Sequence, residues 1–249
     1  MKAIILLGGY ATRLYPITLN MPKALLTVGG QTLMDHLFEK LDKVDAIDEA
    51  ILLSNDKFYY QFQQWTKKYT GPKKITLIND NDNPDRSCII ANLIYTIKTC
   101  KVKDDIMVLA GDHYFKFELT EFYDFFKEKD NDCCIGDIIE DKIYLKQFGV
   151  GTVDEDNVLL EMEEKPEEPK SNNRILAFYI YKKSSLPMLE KYKKEGNSTP
   201  SPGKYLAWLY KNKPVHVFLT NKECHDIGTI PVYEALDKRV TEEVKKNKK

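Results

Sequence analysis

The sequence predicts a three-layer α/β/α fold around a mostly parallel, mixed sheet, and three features carry that expectation. Strand-like and helix-like segments alternate through the first half, the pattern of a parallel sheet covered by helices on both faces. The opening apolar run, Ala3 to Leu7, feeds straight into a glycine turn, as a buried first strand does. After residue 149 two short apolar runs flank Asp154-Glu155-Asp156-Asn157, the composition of a hairpin turn, so the sheet is expected to become mixed there.

The elements follow in order. The first strand is residues 2–7. A helix over 32–44 places Leu33, Met34, Leu37, Phe38, Leu41 and Val44 on one buried stripe. Strand 50–53, helix 58–69, strand 75–78, helix 88–99 and strand 106–110 complete a βαβαβαβ run, and helix 119–129 leads into strand 133–138. Beyond the hairpin at 149–163 come strand 175–181, helix 186–194, helix 205–211, strand 215–219 and a last helix from Pro231. The stretch 198–203, with two prolines and a glycine, reads as a loop and not a domain linker. A chain of 249 residues, 43% hydrophobic, supports one large domain, taken as 1–240, followed by a charged tail at 241–249 that reads as a solvated or frayed helix end.

Charge excludes several function classes. Lys plus Arg number 37 against 38 Asp plus Glu, so no global field would hold the chain on nucleic acid or an anionic membrane, and phosphate recognition must be local. The first apolar run is far shorter than a signal-peptide core, and no other approaches a membrane span. Five cysteines, Cys88, Cys100, Cys133, Cys134 and Cys224, form neither a CxxC pair nor metal-finger spacing and read as reduced thiols of a cytoplasmic protein. An amphipathic surface helix looks the same in a monomer and a homo-oligomer, so both stay open.

Leu7-Gly8-Gly9-Tyr10-Ala11-Thr12-Arg13-Leu14 directly follows the first strand. Adjacent glycines turn the backbone tightly and present unobstructed N–H groups to a triphosphate. Arg13 adds a planar cation suited to bidentate phosphate contact, and Lys23, in Met21-Pro22-Lys23, a point charge. Taken alone, a Gly-Gly pair after a strand is also an ordinary turn. Neither GxxxxGK[ST] nor GxGxxG with its distant acid occurs here, which removes the main support for a kinase or a dinucleotide enzyme.

The run Gly8 to Leu14, then Pro16, then Pro22-Lys23, resembles the signature of the sugar-1-phosphate nucleotidyltransferase family, GGxGTRL followed by a proline and a PK. The likeness is to the short single-domain form acting as a glucose-1-phosphate thymidylyltransferase or uridylyltransferase, and it implies a Rossmann-like, nucleotide-diphospho-sugar-transferase-like fold. Ala11 replaces the family's second-cluster glycine. Alanine resists positive φ, so the loop is expected to sit differently on the triphosphate.

Further matches appear in family order. Ala110-Gly111-Asp112 ends a strand at its carboxyl edge, and the resemblance makes Asp112 a metal ligand with Gly111 beside the substrate. Glu163-Glu164-Lys165-Pro166 is similar to the family's EKP element, with Lys165 on the sugar phosphate and Glu164 on a sugar hydroxyl, though a lone EEKP is also a charged strand end. Gly149 matches a backbone position against the sugar ring. Asp226-Ile227-Gly228-Thr229 with Tyr233 resembles the DIGT element and supplies a second metal ligand, Asp226. In the base-binding segment, Asn83-Pro84-Asp85-Arg86-Ser87 stands where many members carry glycine after the proline; Asp85 and Arg86 read either as base or ribose contacts or as a capped helix start.

The resemblance implies Mg²⁺-dependent, in-line attack of a sugar 1-phosphate on the α-phosphorus of a nucleoside triphosphate, yielding a nucleotide sugar and pyrophosphate, with no nucleophilic Ser, Cys or His. Arg13, Lys23 and Lys165 are the expected catalytic cations, and Leu7, Gly8, Gly9 and Thr12 line the nucleotide. UTP or dTTP and glucose 1-phosphate are favoured. His113 and His225, beside the two aspartates, are expected to be supporting or surface groups. The rival readings are a silent nucleotide-sugar-binding regulatory subunit and a cytidylyl- or guanylyltransferase acting on another phosphate.

Overall fold

The opening run forms β1 (Lys2–Leu7), in which Ala3, Ile4 and Ile5 are fully inaccessible to solvent. In this computed structural model, which describes residues 1–85, 87–198 and 201–247, the chain then makes tight turns at Thr12–Leu14 and Lys23–Leu25 and a small hairpin of β2 (Thr27–Val28) and β3 (Gln31–Thr32). Helix α1 (Leu33–Leu41) starts there because Thr32 and Asp35 form a reciprocal capping box. It ends three residues earlier than expected, and the chain continues in turns that still bury Val44.

Next come β4 (Glu49–Ser54), α2 (Asp56–Lys68), β5 (Lys74–Asn79), α3 (Ile89–Thr99), β6 (Ile106–Ala110), β7 (His113–Phe115), α4 (Leu119–Lys129) and β8 (Asp132–Ile138). A short α5 (Lys142–Leu145) precedes the expected hairpin, β9 (Gly149–Val153) and β10 (Leu159–Glu164); its turn is closed by Asp154 Oδ1, which accepts from the amides of Asp156 and Val158. The chain finishes with β11 (Asn173–Tyr181), α6 (Leu186–Lys194), α7 (Pro202–Leu209), β12 (Val215–Thr220), β13 (Cys224–Asp226) and α8 (Ile230–Asn247).

Helix α7 begins inside the expected loop because Pro202, with φ preset and no N–H to satisfy, opens a helix readily. Helix α8 runs through most of the expected tail: Val240 is buried and Glu243 pairs with Lys116 at 2.9 Å, while Lys248 and Lys249 lie outside the described residues.

The nine-stranded sheet is mixed. Its parallel half runs β5-β4-β1-β6; β11 then pairs antiparallel with β6, β8 and β9, and β12 lies parallel to β8. One face carries α1, α2 and α4, whose Leu37, Phe62 and Phe122 share one apolar cluster with Ile5 and Leu52; the other carries α3, α6 and α7, in a second cluster with Ile4, Ile51 and Val108. Each such Leu or Phe, fully buried, contributes about 1.5–3 kcal/mol. A third, smaller core of Leu14, Val28, Leu33, Tyr114, Ile227, Leu236 and Val240 lies under α8 and ties the glycine turn to the end of the chain.

Strand order reverses between β1 and β6: the chain steps from β1 to β4 and β5 on one side, then returns to place β6 on the other. In open α/β sheets, ligands bind at the carboxyl ends of the strands at such a point.

Candidate active site

The glycine turn follows β1 and Gly111-Asp112 follows β6, so both emerge at the carboxyl edge where strand order reverses. Gly8 is held from two sides. The Asn55 side chain, buried at the end of β4, donates to the Gly8 carbonyl at 2.9 Å while its own oxygen caps α2 by accepting from the Phe58 amide. Asp80, at the end of β5, stands beneath: a Cβ on Gly8 would lie 3.3 Å from its Oδ2. The sequence pattern did not single out Asn55 or Asp80; an Asn or Asp at the end of each neighbouring strand was the available signal.

Ala11 adopts the left-handed conformation, φ 48° and ψ 47°. Alanine takes up positive φ here despite its Cβ. The chain imposes the conformation a glycine favours, because the Ala11 carbonyl is clamped by the Thr18 hydroxyl at 2.8 Å and the Leu14 amide at 2.9 Å.

Asp112 and Asp226, far apart in sequence, are brought together by a two-stranded antiparallel ladder. Strand β7 pairs with β13 so that His113 faces Asp226, Tyr114 faces His225 and Phe115 faces Cys224. Lys23 Nζ then bridges the carboxylates, 2.9 Å from Asp112 Oδ2 and 2.5 Å from Asp226 Oδ1. His113 Nδ1 lies 2.9 Å from Asp112 Oδ1. Burial works against the Asp112 carboxylate, but Lys23 and His113 outweigh it and hold the group below the usual carboxylate range. Burial likewise opposes the Lys23 ammonium, and the two aspartates more than compensate, raising it.

One ammonium against two carboxylates leaves one negative charge over when His113 is neutral. Asp112, His113 and Asp226 each offer a ligand atom, all within 4.8 Å of one another. Carboxylate oxygens and an uncompensated negative charge suit a hard divalent cation, so these residues fit Mg²⁺.

Leu7, Gly9, Arg13, Lys23, Asp112 and Asp226 line one cavity of about 170 Å³. The Arg13 guanidinium lies against Gly228, where a Cβ would stand 3.8 Å from its Nη atoms. A larger cavity of about 400 Å³ adjoins it and shares Leu6, Gly9 and Asp112; Gly8, Ser87, His113, Tyr179 and Pro202 line it further.

Gly149 and Glu164 are register partners across β9 and β10. The Glu164 carboxylate accepts from the Ser201 hydroxyl at 2.6 Å beside Pro202, so this pair abuts the large cavity through the start of α7. Lys165 is exposed, with φ 55° immediately before a proline, and its amide donates to the Phe148 carbonyl at 2.9 Å. A left-handed residue in that position is strained and belongs to a turn that the surroundings over-determine.

Six expected residues line neither cavity: Gly149 and Glu164 approach the larger one only through α7, Lys165 is exposed, and Thr12, Gly111 and Asp85 are held elsewhere. Thr12 is exposed on its turn. Gly111 is a packing position, where a Cβ would lie 2.9 Å from Ile5 Cγ2. Asp85 turns toward the Lys193 ammonium and pairs with it, and Arg86 lies outside the described residues. His225 contacts Glu223 and Arg239 and is a surface group, as expected.

A family model described as nucleotidyl transferase matches residues 2–243. The bifunctional protein GlmU of Methanocaldococcus jannaschii is 27% identical over 235 residues, 92% of this chain and 51% of that protein. The UTP–glucose-1-phosphate uridylyltransferase AglF of Haloferax volcanii is 26% identical over 183 residues, 73% of this chain and 72% of that protein. The chain spans about half the length of the first curated relatives it matches. Its fold superimposes on a UDP-glucose pyrophosphorylase solved with UDP-glucose with a TM-score of 0.80 at 15% identity, covering 97% of this chain and 98% of the other.

Proposed function

The chain belongs to the nucleotidyl transferase family, and on that premise we propose that it condenses a nucleoside triphosphate with a sugar 1-phosphate to give a nucleotide sugar and pyrophosphate. The observation that carries this reading is Lys23 bridging Asp112 and Asp226 beside the glycine turn and Arg13. Arg13, Lys23 and the two carboxylates line one small cavity, which suits phosphates, and a larger cavity adjoins it, which suits the rest of the substrates.

In the proposed reaction a sugar phosphate oxygen attacks the α-phosphorus, a new P–O bond forms, and the bond to the bridging oxygen of the β-phosphate breaks, releasing pyrophosphate. The protein contributes position and charge rather than a covalent intermediate. The glycine-turn amides and Arg13 bind the triphosphate, Lys23 moves from the carboxylates to the α-phosphate, and Lys165 receives the incoming sugar phosphate. Asp112 and Asp226 would hold Mg²⁺, which when bound would neutralise charge on the α-phosphate and the leaving pyrophosphate. UTP or dTTP with glucose 1-phosphate is the favoured pair, a choice supported by the uridylyltransferase named among the relatives. We place the activity in the cytoplasm, which the absence of a disulfide among the five cysteines supports. Among the described residues no helix is long and apolar enough to cross a membrane.

The test is pyrophosphate release with Mg²⁺ from UTP, dTTP, CTP, GTP or ATP against a panel of sugar 1-phosphates, with Asp112→Ala as control. Release that requires both substrates and disappears in the variant is expected. Silence across the panel from a protein that still binds nucleotide sugar would overturn turnover in favour of a regulatory role.

A further inference from the structure

Arg174 is 2% exposed, at the start of β11, and the proposed reaction does not use it. A guanidinium is rarely buried so deeply unless it is paired with a carboxylate and hydrogen-bonded. Here Nε donates to Asp137 Oδ1 at 2.9 Å, and Nη2 donates both to Asp137 Oδ2 at 2.5 Å and to the Cys224 carbonyl at 2.9 Å. The cation also stacks on Phe148, 4.9 Å from the ring centroid, and lies 5.8 Å from that of Tyr144.

These contacts reach two separate parts of the site. Cys224 opens β13, the strand that delivers Asp226 to Asp112 and Lys23. Phe148 precedes Gly149, and its carbonyl accepts the amide of Lys165, fixing the turn that carries that cation. Asp137, on β8, sits opposite Arg174 in register and completes the ion pair away from both.

We propose that Arg174 is a positioning residue that couples the two halves of the site, holding the Asp226 strand and the Phe148–Lys165 turn in fixed relation through one buried guanidinium. The inference rests on the proposed function for its catalytic consequence and on the geometry alone for its structural one. Loss of the guanidinium loosens the carboxylate side and the sugar-phosphate side together, while the glycine turn and Arg13, which it does not touch, stay in place.

Arg174→Met alone strands a buried carboxylate, so it is compared with the double variant Arg174→Met, Asp137→Leu, in which an apolar pair replaces the ions and the fold is retained. Amide exchange is followed in peptides spanning 144–150, 163–167 and 222–228, and steady-state kinetics at varied Mg²⁺, triphosphate and sugar phosphate. The expected result for the double variant is faster exchange in both the 144–167 and 222–228 regions. The Mg²⁺ midpoint and the sugar phosphate KM are each expected to rise about 3- to 30-fold, with an unchanged triphosphate KM. Faster exchange in only one region, or a uniform fall in kcat with every midpoint unchanged, overturns the coupling. If the wild-type protein releases no pyrophosphate, the proposed function fails and the exchange experiment alone decides the role of Arg174.

Discussion

Lys23 Nζ stands 2.5 Å from Asp226 Oδ1, a contact made because the β7–β13 ladder returns the end of the chain to the turn after Pro22. The same ammonium reaches Asp112, so one side chain pairs with carboxylates from the turn after β6 and from β13 and offsets one of their two charges. Substituting Lys23→Met is expected to lower the rate of pyrophosphate release by about 100-fold or more, as removal of one charge-stabilising group from a preorganised site does. A stopped-flow or coupled pyrophosphate assay reads this directly, and a loss smaller than about fivefold would remove Lys23 from the catalytic set.

Ala11 occupies a conformation that disfavours every residue with a Cβ, held by the Thr18 hydroxyl and the Leu14 amide. Ala11→Gly is therefore expected to stabilise the fold by about 0.5–1 kcal/mol, after allowing for the greater freedom of glycine in the unfolded chain. Thermal unfolding should move up by about 2 °C. Ala11→Val, with a branched Cβ at positive φ, should move it down.

Glu164 packs against Gly203, where an added Cβ would overlap its carboxylate. Gly203→Ala is expected to push Glu164 off the Ser201 hydroxyl and raise the sugar phosphate KM about 10-fold, the loss of one hydrogen bond to a charged group. The triphosphate KM should not change, and a parallel rise in both constants would contradict the assignment of Glu164 to the sugar side.

Acid sensitivity has a source far from the site. Glu49 on β4 is in register with Lys2 on β1 and Lys74 on β5, and accepts from the Thr76 hydroxyl at 2.5 Å. Burial alone would raise its pKa, but Lys74, Thr76 and Lys2 lower it to about 2 from an ordinary 4.5. A carboxyl depressed in the folded state stabilises above its unfolded value, and that stabilisation is lost as pH falls through the folded one. The difference in unfolding midpoint between wild type and Glu49→Gln should be full at pH 6, shrink below pH 4.5 and vanish near pH 2. A difference independent of pH would exclude this source.

The parts of the molecule written as periodic apolar pattern were legible from the residues. The βαβ run, the glycine turn and the hairpin around Asp154–Asn157 fall where alternation and turn chemistry place them. What could not be read was carried by short or long-range pairings. Strands β7 and β13 span only His113–Phe115 and Cys224–Asp226, too short for a periodic signal, yet their register brings Asp112 and Asp226 together. Asn55 looks like any helix cap until its second hydrogen bond to Gly8 is seen. Asp85 fits a base-binding motif by position, but its partner Lys193, on α6, is distant in sequence. Arg174 and Asp137 each sit in an apolar strand with nothing local to declare the pair.

The third core has a consequence for how the chain is made. Leu14 and Val28 share that core with Leu236 and Val240; Gly29 donates its amide to Asp237 Oδ1 at 2.8 Å, and Tyr233 donates its hydroxyl to the Thr27 carbonyl at 3.0 Å. During synthesis the amino-terminal part emerges first and begins to fold before the rest exists. The parallel strands from β1 to β6 can then assemble early, but the turn after Pro22 must wait for α8 to leave the ribosome. A nascent chain halted at Thr220 is expected to protect its sheet from protease while residues 10–30 are cut, so that a segment translated before β4, β5 and β6 acquires its packed form after them.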